Sequence, residues 1–232
     1  MQDLEERQGE LSEAYYSIRA TVDYASAGGA NKVFLITSSQ PSEGKSTTAI
    51  AMARDFAQIG RRVLLIDADL RKPSLHTVMG LPRTHGLMDI LLGGAKLSKT
   101  VHPADIAGLD LLPLGQIPPN PVQVLSSSLI SDFLERARSK YDVILLDSAP
   151  VMGLADAPML SRMVDYVLLI VEANRAHYGQ AKSAVRRLQD AGANILGIVM
   201  TKFSFRHAGY TYDYHYSYYS YRNRKTPEDA GA

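Results

Sequence analysis

The chain has 232 residues, 46% apolar and 21% charged, with 25 Lys and Arg against 24 Asp and Glu; that is enough apolar matter for one sizeable core, and too little net charge to mark a nucleic-acid binder. With no cysteine there is no disulfide framework, thiolate metal site or cysteine nucleophile. The opening MQDLEERQGE lacks the basic and apolar regions of a signal peptide, and no apolar run approaches the ~18 residues of a membrane span.

Leu11, Tyr15, Ile18, Val22 and Ala25 recur at steps of four and three, which predicts an amphipathic helix stopped by Gly28-Gly29. KVFLIT (32–37) reads as a buried strand and 46–59 as a helix ended by Gly60. Further strands are expected at 62–66, 109–114 (weakened by its proline), 142–146, 166–171 and 194–201, with helical patterns at 126–140, 154–163 and 178–191. Strands apolar on both faces and separated by helices predict an α/β domain: a doubly wound, mostly parallel sheet with helices on both faces. No internal repeat is visible. From about residue 203 the pattern is lost, so the chain divides into an amino-terminal helix (1–30), the α/β domain (31–202) and a tail (203–232).

Between the first strand and the next helix lies SSQPSEGKST (38–47). Gly44-Lys45-Ser46 matches the end of a phosphate-binding loop, with Ser39 in place of the usual first glycine. Consecutive backbone N–H groups from Pro41, Ser42, Glu43, Gly44, Lys45, Ser46 and Thr47 (proline contributing shape alone), at a helix N-terminus, would cradle phosphate oxygens. Lys45 adds a mobile charge, and the Ser46 hydroxyl can ligate Mg²⁺. LLIDADLR places Asp67 and Asp69 past a strand end, and ILLDSAP places Asp147 at another; the carboxyl ends of parallel strands are where ligands bind. Taken singly, each has a plainer role: an incidental turn, a helix cap, a strand-end turn. Three strand ends supplying GKS, DAD and Asp to one edge point to a Mg·nucleotide site, hence to ATP and Mg²⁺.

These motifs resemble the bacterial tyrosine kinases, P-loop enzymes that control export and chain length of capsular and extracellular polysaccharide. TSSQPSEGKST (37–47) matches that family's phosphate loop, LLIDADLRKP (64–73) its Asp-x-Asp-x-Arg motif, and ILLDSAP (144–150) its third motif with Ala149 in place of a proline. GLMDILLGG (86–94) and PPNPVQVL (118–125) are similar too, though a short helix and a stiff loop explain them equally. The resemblance implies that Lys45 and the loop hold phosphates and that Ser46, Asp69 and Asp147 hold the metal, the aspartates through water. It makes Asp67 the acceptor of a tyrosine proton, useful because free tyrosine has a pKa near 10. The eukaryotic kinase signature of HRD, DFG and a Gly-x-Gly-x-x-Gly loop is absent. The resemblance also implies a transmembrane polysaccharide co-polymerase or activator, a cognate phosphotyrosine phosphatase, and a cytoplasmic location at the inner face of the plasma membrane.

Seven of the 13 tyrosines, Tyr210, Tyr212, Tyr214, Tyr216, Tyr218, Tyr219 and Tyr221, cluster among Ser, Thr, Asp and His. One aromatic strand face would normally include Val, Ile or Leu. A base-stacking tail would carry more basic residues than Arg206 and Arg222, so no nucleic acid is expected. The remaining reading is a string of phosphoacceptors, as the family carries. The family's assembly motif, Glu-x-x-Arg-x-x-Arg, is met at Glu13 and Arg19, with Tyr16 replacing the central arginine. It implies a ring-like homo-oligomer, an octamer in its full form, while a solvated helix face explains the same residues. Two rivals stand beside the kinase. A Min- or partitioning-type ATPase would carry a lysine where this chain has Gln40, and a nucleotide-gated scaffold of an export complex would bind nucleotide without transfer. The six histidines show no metal-site spacing.

Overall fold

A computed structural model describes residues 2–25, 32–82, 84–173 and 178–203, with side chains of the first helix described from Glu13 onward. The first helix, α1, spans Gln2–Ala25. Then follow β1 (Lys32–Ser38), α2 (Lys45–Gln58), β2 (Val63–Ala68), and three short helices, α3 (Leu75–Val78), α4 (Leu87–Leu91) and α5 (Leu97–Thr100). The chain continues through β3 (His102–Pro103), β4 (Leu109–Leu112), α6 (Pro121–Ser126), α7 (Leu129–Arg138) and β5 (Val143–Ser148). It ends, among the described residues, with α8 (Asp156–Leu160), β6 (Tyr166–Glu172), α9 (Tyr178–Asp190) and β7 (Ile195–Thr201).

The seven strands form one sheet in the order β3-β4-β2-β5-β1-β6-β7, parallel except for the antiparallel β3 edge. The doubly wound, mostly parallel expectation holds. β2 and β5 are buried along their whole length, as continuous apolar runs at the centre of a sheet covered on both faces must be. On one face α2 presents Ala49, Met52, Ala53 and Phe56, one stripe at helical spacing, together with Val22 of α1 and Leu75 of α3. On the other face α7 presents Ile130, Phe133, Leu134 and Ala137, joined by Leu160 of α8 and Leu188 of α9. Each large side chain sequestered this way stabilises the fold by roughly 1.5–3 kcal/mol.

Three elements depart from the sequence expectation. The helix expected over 126–140 is α7, which starts only at Leu129, and the stretch 121–126, which a stiff loop would have explained, forms a helix of its own, α6. Asn120 caps α6 by accepting from Gln123 N at 3.2 Å, and Pro121 occupies the first turn, where a missing N–H costs nothing. The helix expected over 154–163 shrinks to α8, and β4 stops at Leu112, before the proline. No helix of the described residues is long and apolar enough to cross a membrane.

Candidate active site

β1 delivers the chain to Ser39, and α2 starts at Lys45, so the loop between them opens at the carboxyl edge of the sheet. Gly44 caps α2 in the left-handed region (φ +92°), which glycine alone adopts without steric cost. Pro41, Ser42 and Thr47 are exposed, while Gly44, Lys45 and Ser46 are half-buried. Glu43 behaves differently from its neighbours. Its carboxylate turns inward and is buried, accepting from Ser39 Oγ at 2.9 and 2.8 Å and from Gln40 N at 2.7 Å. Only the main chain of Glu43 is therefore offered to a ligand.

β2 and β5 are parallel neighbours in register, with Asp67 directly opposite Asp147; β1 lies on the other side of β5 and pairs Ile36 with Asp147. Strand order thus brings together three segments separated by 20 to 80 residues of sequence. Lys45 Nζ stands 3.4 Å from Asp147 Oδ1 and 3.7 Å from Asp69 Oδ2, and donates to Ser46 Oγ at 3.2 Å. Ser46 Oγ lies in turn 3.3 Å from Ser74 Oγ. Asp69 Oδ1 accepts from the N–H groups of Arg71 (3.2 Å) and Lys72 (2.9 Å), which fixes the carboxylate facing Lys45. Asp67 Oδ2 accepts from Ser74 N (2.9 Å) and Leu75 N (2.8 Å), and Oδ1 from Asp69 N (3.3 Å). Asp67 therefore also caps the turn into α3.

Burial dominates the electrostatics. Asp67 is pushed up to about 6, chiefly by burial and also by the charges of Asp147 and Asp69, against the opposing backbone hydrogen bonds. Burial likewise raises Asp147, and the Lys45 charge only partly offsets it. Asp147 Oδ2 is buried and has no hydrogen-bond partner. An unsatisfied carboxylate oxygen at the mouth of a phosphate loop suits a hydrated cation. Among the described residues no group of three or more His, Asp or Glu side chains is placed to hold a metal directly. Mg²⁺ fits such a site, because it keeps several waters and takes remaining ligands from phosphate and a hydroxyl such as Ser46.

Three residues at the site were given no role by sequence reading. Ser74 follows Pro73 in a stretch without periodicity. Arg71 donates to the fully buried Asp156 at 2.8 and 3.0 Å, tying the DAD turn to α8. Its place in DADLR was the available signal. Thr201 ends β7 and reaches the loop only through the order of the strands. Of the other expected sites, Arg19 faces Asp23 of its own helix at 3.9 Å and Glu13 is exposed. The tyrosines from Tyr210 to Tyr221 lie outside the described residues.

A family model described as an AAA domain matches residues 31–198. The tyrosine-protein kinase YwqD of Bacillus subtilis is 39% identical over 202 residues, covering 87% of this chain and 85% of its own. The tyrosine-protein kinase Wzc of Salmonella typhimurium is 32% identical over 211 residues, covering 91% of this chain, which spans only 29% of Wzc. The solved kinase domain of Escherichia coli tyrosine kinase Etk superposes with a TM-score of 0.77 at 30% identity, over 85% of this chain and 79% of that one. A Pyrococcus horikoshii septum-site protein, MinD, solved with Mg-ADP, is 24% identical with a TM-score of 0.62 over 75% of this chain and 72% of its own, a likeness of fold alone. Sequence and structure agree over the same stretch that holds the phosphate loop and the three aspartates, and the chain belongs to the bacterial tyrosine-protein kinases, on a P-loop nucleotide-binding fold.

Proposed function

We propose that this chain is an ATP-dependent protein-tyrosine kinase that phosphorylates the tyrosines Tyr210, Tyr212, Tyr214, Tyr216, Tyr218, Tyr219 and Tyr221 of a neighbouring copy. The observation that carries the reading is Lys45 Nζ held between Asp147 and Asp69 at the head of the phosphate loop. Loop N–H groups from 41–47 and the Lys45 ammonium bind the phosphates, apart from the N–H that Pro41 lacks. Ser46 would hold Mg²⁺ directly, with Asp69 and Asp147 through its waters. The cation supplies charge neutralisation on the phosphate oxygens. Asp67, buried and raised towards neutrality, accepts the proton of the attacking tyrosine hydroxyl as the phenolic oxygen bonds to the terminal phosphorus and the bond to the bridging oxygen of ATP breaks. Lys45 and the loop amides compensate charge on the departing diphosphate.

The kinase domain proper is 31–202, with 1–30 the assembly segment acting through Glu13 and Arg19 of α1 and 203–232 the substrate tail. The resemblance to kinases that control capsular and extracellular polysaccharide supports a role in regulating synthesis and export of such a polymer. It also supports a transmembrane co-polymerase or activator partner, an opposing phosphotyrosine phosphatase, and work at the inner face of the plasma membrane. The test is incubation of purified chain with Mg·ATP beside its Lys45→Met variant, with mass spectrometry of residues 203–232. Phosphotyrosine in the parent and none in a folded Lys45→Met variant is expected. Phosphate release without protein labelling would instead identify a positioning ATPase, and nucleotide binding alone a scaffold.

A further inference from the structure

The phosphate loop lacks its first glycine, and Ser39 takes that place. In the structure Ser39 is fully buried and spends its hydroxyl on Glu43, at 2.9 and 2.8 Å to the two carboxylate oxygens. The same carboxylate receives Gln40 N at 2.7 Å, and Glu172 N, at the end of β6, at 3.4 Å. A carboxylate with three donors converging on it clamps the near half of the loop from behind. The far half is held by another strand. Thr201 Oγ1, on the last residue of β7, donates to the main-chain carbonyl of Glu43 at 2.6 Å; its other acceptor, Val171 O, is 3.5 Å away. The Thr201 methyl lies 3.5 Å from where a Cβ on Gly44 would stand, so it packs against the residue that caps α2.

We infer that Glu43 and Thr201 are positioning residues: together they hold the glycine-poor loop in its phosphate-binding shape, one from the sheet interior and one from the end of β7. Preorganised N–H donors bind phosphate without first being ordered, so loosening the loop weakens binding of nucleotide before it touches chemistry. Lys45, Asp67 and Asp147 are held separately by their own strands and helix. In the chain, Thr201 directly precedes the segment that leads to the clustered tyrosines.

This inference rests on the nucleotide reading of the loop, and the experiment separates the two. Binding of a fluorescent ADP analogue with Mg²⁺ is measured for the parent, Lys45→Met, Thr201→Val, Thr201→Ser and Glu43→Gln, alongside KM for ATP and kcat. Thr201→Val keeps shape and methyl but removes the donor. It is expected to weaken nucleotide binding and raise KM about fivefold, the scale of one lost hydrogen bond, with kcat nearly unchanged. Thr201→Ser, which keeps the hydroxyl, recovers most of that loss. Glu43→Gln sets an amide N–H₂ against a backbone donor and is expected to weaken binding about tenfold. Unaltered binding in both Thr201→Val and Glu43→Gln, with Lys45→Met impaired, would overturn the inference while leaving the nucleotide site standing. Equal binding by Lys45→Met and the parent would overturn the reading of the loop itself. A fall in kcat without a change in KM would assign these residues to the transfer step and also overturn it.

Discussion

Asp67 is pulled two ways. Three backbone N–H groups favour its anion, while burial and the neighbouring Asp147 and Asp69 charges disfavour it, and the balance lies near pH 6. Its folded pKa stands above the unfolded value of about 3.9, so the native state holds this proton more tightly than the unfolded chain. The stabilisation is thus complete below pH 4 and is lost as the pH rises through about 6. Above that the ionised carboxylate, the base in the proposed transfer, is also a burden on the fold. Asp67→Asn keeps an oxygen for Ser74 N and Leu75 N while removing the charge. It is expected to stabilise the ligand-free chain at pH 8 by roughly 1–3 kcal/mol and by less at pH 5, checked by denaturant unfolding. The same variant is expected to slow tyrosine phosphorylation by about 10² or more and to abolish the rise in rate between pH 5 and 7. A pH profile identical to the parent's would exclude Asp67 as the base.

At the scale of elements, Arg71 and Asp156 show how a turn near the site is braced. Asp156 opens α8 and is fully buried, while the Arg71 side chain is 37% exposed and reaches it from the DAD turn. Truncating Arg71 strands a buried carboxylate, so Arg71→Ala is expected to destabilise by about 1–3 kcal/mol, reduced from the fully buried case because water can approach the pair. Removing Asp156 as well is expected to restore part of the loss, a coupling that a double-mutant cycle in urea would read. Purely additive losses would mean that the pair does not act as one brace. This brace is an instance of what the sequence could not display. Long buried strands such as VILLD announce themselves, because burial on both faces demands unbroken apolar runs. Four-residue helices such as α3 and the two-residue β3 carry no period, and α6 is hidden because its proline-rich approach reads equally well as a stiff loop. The loop and aspartates were legible because each lies in a local motif. Ser74 and Thr201 were not, because only strand order and a turn bring them to Ser46 and Glu43.

For the whole molecule the tail and the first helix pose one question, how modification alters association. Arg19, one of the two matches to the assembly motif, already has an acidic neighbour in its own helix, Asp23 at 3.9 Å, and its charge also acts on Asp55 of α2. Contacts between copies made through such groups are exposed or shared, and so individually weak and sensitive to added charge. Each phosphotyrosine adds about −1.5 to −2 charges at neutral pH, so full modification of the seven clustered tyrosines adds roughly −10 to −14 to a chain whose formal charge is +1. In the proposed transfer the tail approaches Asp67, Asp69 and Asp147 of a neighbour, and it would be repelled progressively as that charge accumulates. Association is therefore expected to weaken in steps with the number of phosphates. Sedimentation of fractions sorted by phosphate count would show a graded shift from assembly to single copies, attenuated by salt. Any one Tyr→Phe change is expected to leave the shift nearly intact, whereas replacing all seven removes it. If a single substitution abolished the response, a specific docking contact rather than summed charge would govern assembly.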